Sequence, residues 1–249
     1  MTTFLYEDEV DDNNDGMFER ALAFNSAVNC WDTSKVISFE KMFEEATSFN
    51  QTVGEWDTSS ATTMYSMFEL ASSFDQDCGD WDVARVTTMY EMFEETPFNQ
   101  DISRWDVASV TDMEYMFQGA VFYDQPMPDW DTAKVADMAH MFSYEDSSTS
   151  VFSGLPTTFN QDISRWNVSS VKYMESMFYK AENFNQDVSN WNVAAVTDMS
   201  YMFVDAENFN QNLSKWDPNL AENGGCQFAV GAACGPACGF SGYEFCGSN

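Results

Sequence analysis

The chain has 249 residues, 44% of them apolar, including 22 Phe, 16 Met and 8 Trp. It carries 41 acidic residues against 10 basic ones, a formal charge of −31; such a surface repels nucleic acid and anionic membranes and attracts cations and basic partners. No apolar run reaches the roughly 18 residues of a membrane-spanning helix, so no membrane insertion is expected.

Residues 1–16 are acidic and precede the repeats described next; they are expected to form an N-terminal cap or lead. The opening MTTFLYEDEV lacks a basic n-region and an apolar h-region and is not expected to be a signal peptide. Asp11, Asn13 and Asp15, followed by Gly16, resemble the first half of an EF-hand loop, where alternate oxygens ligate calcium and glycine makes the turn. The twelfth position is Leu22 rather than Glu. Calcium is the one possible cofactor; otherwise none is expected.

From residue 17 to 217 the chain repeats itself. The tryptophans stand at Trp31, Trp56, Trp81, Trp105, Trp130, Trp166, Trp191 and Trp216, with spacings of 25, 25, 24, 25, 36, 25 and 25. A Met-Phe pair keeps the same phase, from Met17-Phe18 to Met202-Phe203. Fourteen of the sixteen methionines fall on repeat positions, so they are expected to fill core gaps between aromatic rings. Each unit reads approximately F-N-Q-D-I-S-x-W-D-V-S-x-V-T-x-M-x-x-M-F. The period-two segment I-x-x-W-x-V predicts a short strand. The segment V-x-x-M-x-x-M-F steps by three and predicts a short helical or 3₁₀ turn. Such a unit cannot bury its apolar face alone, so about eight rungs are expected to stack as a repeat solenoid.

Eleven extra residues interrupt the period and predict an exposed insertion loop at about 143–158, a place where function often resides. Pro218 ends the array, because proline removes a ladder donor. Residues 218–249 then read as a Cys/Gly-rich C-terminal cap. Its Cys226, Cys234, Cys238 and Cys246 predict two disulfides in one of three connectivities, with a zinc site as the rival. Cys78 replaces a core aliphatic and is expected to be a buried, inert thiol; Cys30 precedes Trp31 and is expected to point outward, unpaired with it.

Over residues 17–217 the repeat resembles that of BspA-like leucine-rich-repeat surface proteins, with I-x-x-W-x-V in place of the usual L-x-x-L-x-L. The resemblance implies a leucine-rich-repeat-like solenoid with parallel strands on one face. It also implies adhesion or recognition at a cell surface.

The residues flanking Trp are expected to face outward. They give a row of Asp32, Asp57, Asp82, Asp106 and Asp131, with Arg104 and Arg165 among the preceding positions. Two readings stand: each Asp caps the following turn, or the row is a cation- or ligand-binding face. A second row, Asn25, Asn50, Asp75, Asn99, Asp124, Asn160, Asn185 and Asn210, predicts amide bonds from rung to rung. The only histidine, His140, sits at a variable position and is expected to be exposed. It has no partner pattern for nucleophilic catalysis, and no phosphate-cradling glycine loop occurs, so no enzyme is expected. The expected function is non-enzymatic recognition, adhesion or scaffolding, binding a protein or glycan through the solenoid face or the insertion loop. The alternatives are a calcium-dependent adhesive protein and a structural subunit of a larger assembly. The expected location is extracellular or at the cell surface, or an organelle for the assembly reading.

Overall fold

The computed structural model describes residues 16–145, 148 and 150–216. In each unit the short polar residues between the apolar letters set the backbone path. Asp101 Oδ1 accepts the Ser103 N–H at 2.9 Å, and Asp106 Oδ1 accepts the Ala108 N–H at 3.1 Å. A carboxylate bonding the amide two residues on makes an Asx turn. Inside this frame the Trp105 N–H donates to Ile102 O at 3.1 Å, and the Val110 N–H to Val107 O at 2.9 Å. The segment I-x-x-W-x-V, expected as a strand, is therefore a pair of consecutive turns. Its alternating apolar letters are real core letters, but the Asp and Ser between them compete with ladder formation.

Parallel pairing occurs instead just before the Met positions. Single bridges link Ser38 to Thr63, Thr63 to Thr88, Thr88 to Asp112, Asp112 to Asp137, Asp137 to Tyr173 and Tyr173 to Asp198. The last two show that the stacking continues across the eleven-residue insertion. Beyond each bridge, bonds to the next rung alternate with bonds closing local turns. The Phe43 N–H donates to Met67 O at 2.9 Å and the Glu45 N–H to Glu69 O at 2.7 Å, while the Ala46 N–H returns to Phe43 O at 3.0 Å. The expected helical turn does not propagate, and no helix occurs among the described residues. The cause is a left-handed residue every fourth position. The residue before Met-Phe has positive φ at Lys41, Ser66, Glu91, Tyr115, His140, Ser176 and Tyr201. So does the second residue after Phe at Arg20, Glu45, Leu70, Glu95, Lys180 and Asp205, with Gly119 at +67° in that slot. A non-glycine residue there costs about 1 kcal/mol or more, offset by the inter-rung bonds that this shape permits.

Three aromatic columns fill the interior. Phe43, Phe68, Phe93, Phe117, Phe142, Phe178 and Phe203 follow one another at 5.4–5.8 Å between ring centroids. A second column runs from Phe49 to Phe209, and each ring also stacks on its own rung's partner, as Phe68 on Phe74 at 3.7 Å. The tryptophans form the third, with Trp81 and Trp105 centroids 6.3 Å apart. Each Trp Nε1 from Trp56 to Trp216 donates to a backbone carbonyl of the rung before, for example Trp105 to Cys78 O at 3.0 Å. Outside the rings runs the amide row. Asn25 Oδ1 accepts the Asn50 N–H and Gln51 Nε2, and Asp75 Oδ1 accepts the Asn99 N–H and Gln100 Nε2. Only the Oδ1 acceptor is used, which explains why Asn and Asp interchange there while Gln usually follows.

Tyr123 occupies a phenylalanine position in the second column, and its hydroxyl is buried with no hydrogen-bond partner. An unsatisfied buried hydroxyl costs about 1–3 kcal/mol. Tyr123→Phe is therefore expected to raise unfolding free energy by about 1 kcal/mol in denaturant titration. An equal loss would mean that the hydroxyl has a partner such as a buried water.

Candidate functional site

The aspartates expected to form a binding row lie exposed on one edge, and each is engaged in its own turn. Asp32 accepts both the N–H and the Oγ–H of Ser34, and Asp57 does the same with Ser59. Those hydroxyl bonds hold both carboxyls below the usual range. Asp82, Asp106 and Asp131 accept the N–H of Ala84, Ala108 and Ala133. Arg104 pairs one rung back with Asp80 at 2.6 Å, and Arg165 with Asp129 at 3.5 Å. The geometry thus gives these residues structural work and does not make them converge. Cys30 is exposed and Cys78 buried, both free; burial pushes the Cys78 thiol well up. Asp11, Asn13, Asp15, Cys226, Cys234, Cys238 and Cys246 lie outside the described residues.

The opposite edge, built from M-x-x-M-F, carries denser chemistry. Four successive rungs read Met-Phe-Glu, at 17–19, 42–44, 67–69 and 92–94, so Glu19, Glu44, Glu69 and Glu94 fall in one column. Lys41 neutralises Glu44 at 3.0 Å. Glu69, Glu91 and Glu94 instead gather with carboxylate oxygens within 4.8 Å of one another. Partial burial, reinforced by the Glu91 charge, pushes Glu69 up to about 8 and Glu94 up to about 9. Glu114 is pushed up to about 7 by burial and by Asp137 and Asp112. Beside them the rings of Tyr65, Tyr90, Tyr115 and His140 form a ladder, with centroids 4.7, 5.7 and 4.5 Å apart. His140, expected exposed, is half-buried on Tyr115, and burial lowers its pKa. Its side chain follows the left-handed backbone at that position onto the neighbouring rung, which the variable letters there did not reveal. In the parallel pairs Tyr65–Tyr90 and Tyr115–His140 each ring covers a face of the other.

The insertion breaks both patterns. It is fastened to the stack by a small second core of Val121, Tyr144 and Phe152. The Tyr144 hydroxyl donates to Phe152 O at 3.1 Å and accepts the Gly154 N–H at 2.7 Å. Ser150 Oγ donates to Glu95, and the Thr158 N–H and Oγ–H both reach Val121 O. Around Phe152 stand three exposed apolar side chains: Phe122 at 42%, edge-on to the Phe152 ring, Val151 at 69% and Leu155 at 39%. Sequence reasoning singled out the loop but not this patch, since Phe122 lies before it on the preceding rung.

No curated protein and no solved structure matches the chain. A family model does, three times in overlapping tandem, over residues 9–97, 79–153 and 147–233. Those matches follow the same repeat whose rungs stack in the structure, and they leave only the two ends uncovered: the chain belongs to the family described as Mycoplasma protein of unknown function, DUF285.

Proposed function

We propose that the chain is a non-enzymatic recognition protein of the BspA-like surface type, a solenoid scaffold that holds the insertion loop out to a protein partner outside the cell or at its surface. The carrying observation is the exposed pair Val151 and Leu155 on a loop anchored by its own core, with exposed Phe122 of the preceding rung edge-on to the loop's Phe152. Exposed apolar groups concentrated on one rigid feature mark an interaction site. The regular edges have internal explanations: the turn aspartates are bonded within their rungs, and the tyrosine and histidine rings largely cover one another's faces. Sugars dock on open ring faces, so a protein ligand is the better match. The Glu95 carboxylate, bonded to Ser150 next to Val151, favours a basic group on that partner.

The test compares wild type with Phe122→Ser/Val151→Ser/Leu155→Ser and, as a control, Asp57→Asn/Asp82→Asn. A partner identified by cross-linking at native surfaces, then purified, is expected to bind the triple variant at least about tenfold more weakly, a loss typical of removing a buried apolar anchor. The control should bind like wild type. Equal binding by the triple variant, or loss confined to the control, would refute the loop as the site.

A further inference from the structure

We infer that Glu95, Gly119 and Ser150 form a clasp that pre-positions the apolar patch of the insertion loop, which makes Glu95 and Gly119, on the two preceding rungs, positioning residues for recognition. The clasp's role in binding rests on the proposed function; its role in holding the loop does not. It stands at the left-handed corner that follows Met-Phe in each rung. Elsewhere this corner meets solvent: Arg20 and Asp205 are exposed, and Leu70 is 36% exposed. Glu95 is only 9% exposed there. A buried carboxylate needs a donor, and the Ser150 Oγ–H supplies one to Oε2 from the loop. Ser150 Oγ in turn accepts the Phe152 N–H at 3.1 Å, and Phe152 is packed in the second core. Val151 is thus held between two anchored residues with its own side chain 69% exposed.

Gly119 is the other half of the clasp. Its φ of +67° does not demand glycine, because Glu45, Leu70, Glu95 and Lys180 hold the same conformation at the same corner. Space demands it. A Cβ at Gly119 would lie 2.8 Å from Glu95 Cδ and Oε1 and 3.1 Å from its Cγ, well inside contact distance. One carboxylate therefore lies across Gly119 with Oε1 and reaches Ser150 with Oε2. The obstruction falls on the end of a flexible side chain, so a methyl group at position 119 would displace Glu95 and leave the backbone in place. Holding a binding loop in one shape raises affinity, because less ordering remains to be done on association.

The test uses the full chain and the variants Gly119→Ala, Ser150→Ala, Glu95→Ala and Glu95→Gln, with thermal melts to confirm folding. Limited chymotrypsin digestion reads cleavage after Phe152 and Leu155. Gly119→Ala and Ser150→Ala are expected to be cut about tenfold faster than wild type, the effect of losing one charge-assisted hydrogen bond on local opening. Glutamine keeps the shape and an acceptor oxygen, so Glu95→Gln should stay close to wild type. Gly119→Ala added to Glu95→Ala should have no further effect, since the methyl then obstructs nothing. The partner should bind Gly119→Ala about tenfold more weakly. Unchanged cleavage in folded Ser150→Ala and Gly119→Ala, or fully additive effects in the Gly119→Ala/Glu95→Ala variant, overturns the clasp. Wild-type binding by Gly119→Ala, while Phe122→Ser/Val151→Ser/Leu155→Ser loses the partner, overturns the positioning role alone. Equal binding by that triple variant would refute the recognition reading instead, and the cleavage result would still decide the clasp.

Discussion

Replacing Trp105 with alanine is expected to lower the unfolding free energy by about 3–5 kcal/mol, the range for deleting a large buried aromatic. Trp105 is buried, stacked on Trp81, and within 6.3 Å of the Phe93 ring. Its indole N–H is also the partner of Cys78 O, so the substitution opens a cavity and strands a buried carbonyl together. Trp105→Phe separates the two effects. It keeps an aromatic ring in the column and loses the donor, and should fall between wild type and alanine. Apart from the contact of Ser150, in the insertion, with Glu95, the rungs on either side bond to Trp105's rung rather than to each other among the described residues, so damage here should also weaken the coupling of the two halves of the stack. Guanidinium titration followed by tryptophan fluorescence would read both. A loss under about 1 kcal/mol for alanine would mean that the tryptophan column does not hold the rungs together.

The tryptophan and Met-Phe phases were legible because core letters cannot drift: a ring out of phase would miss its column. The rung-to-rung amide row was legible for a related reason, since Asn25, Asn50 and Asp75 offer the same acceptor at the same place. Local geometry was harder. Alternation in Ile102-x-x-Trp105-x-Val107 looks like a strand, yet Asp101 and Asp106 each bond an amide two residues on and bend it. That signal was present in the repeated D-x-S and W-D-x-S letters, but the apolar period outweighed it. The left-handed positions were invisible. Lys41, Ser66, Glu91, Tyr115 and His140 share a backbone conformation but no side-chain chemistry, because inter-rung hydrogen bonds rather than residue preference impose it. The carboxylate cluster could have been found. Four successive Met-Phe-Glu triplets in one phase imply a column of glutamates one rung apart, and that spacing cannot leave every member ionised. The exposed patch could not, because Phe122 joins the insertion only in three dimensions.

That column leads to an unusual dependence of stability on pH. In a metal-free buffer with chelator, the protein is expected to be most stable near pH 5 and to lose stability steadily toward pH 9. Glu69 and Glu94 have folded values near 8 and 9, raised first by burial and then by the Glu91 charge. Their unfolded value is about 4.3. Between those limits the folded chain holds protons that the unfolded chain has lost, so unfolding free energy falls as pH rises. The contribution is complete below the unfolded value and vanishes as pH passes 8–9. The groups facing Glu94 are Glu91, Glu69, Glu95 and Glu145, all acidic, so none reverses the sign. The turn aspartates act the other way at the acid end. Asp32, Asp57, Asp101, Asp162 and Asp187 are held low by serine hydrogen bonds, and their contribution fades as pH falls below about 4. Glu94 alone carries a difference on the order of a few kcal/mol, equivalent to about 5–10 °C in melting temperature for a chain of this length. General repulsion from the −31 charge has the same sign, but salt screens it. Glu94→Gln at high salt therefore isolates the local effect: its melting temperature should decline less steeply than that of wild type from pH 5 to 8.5, the remaining slope coming from Glu69 and Glu114. A wild-type melting temperature that is flat or rising over that range would show the glutamates ionised in the fold, and the column would then be solvated rather than packed against the stack.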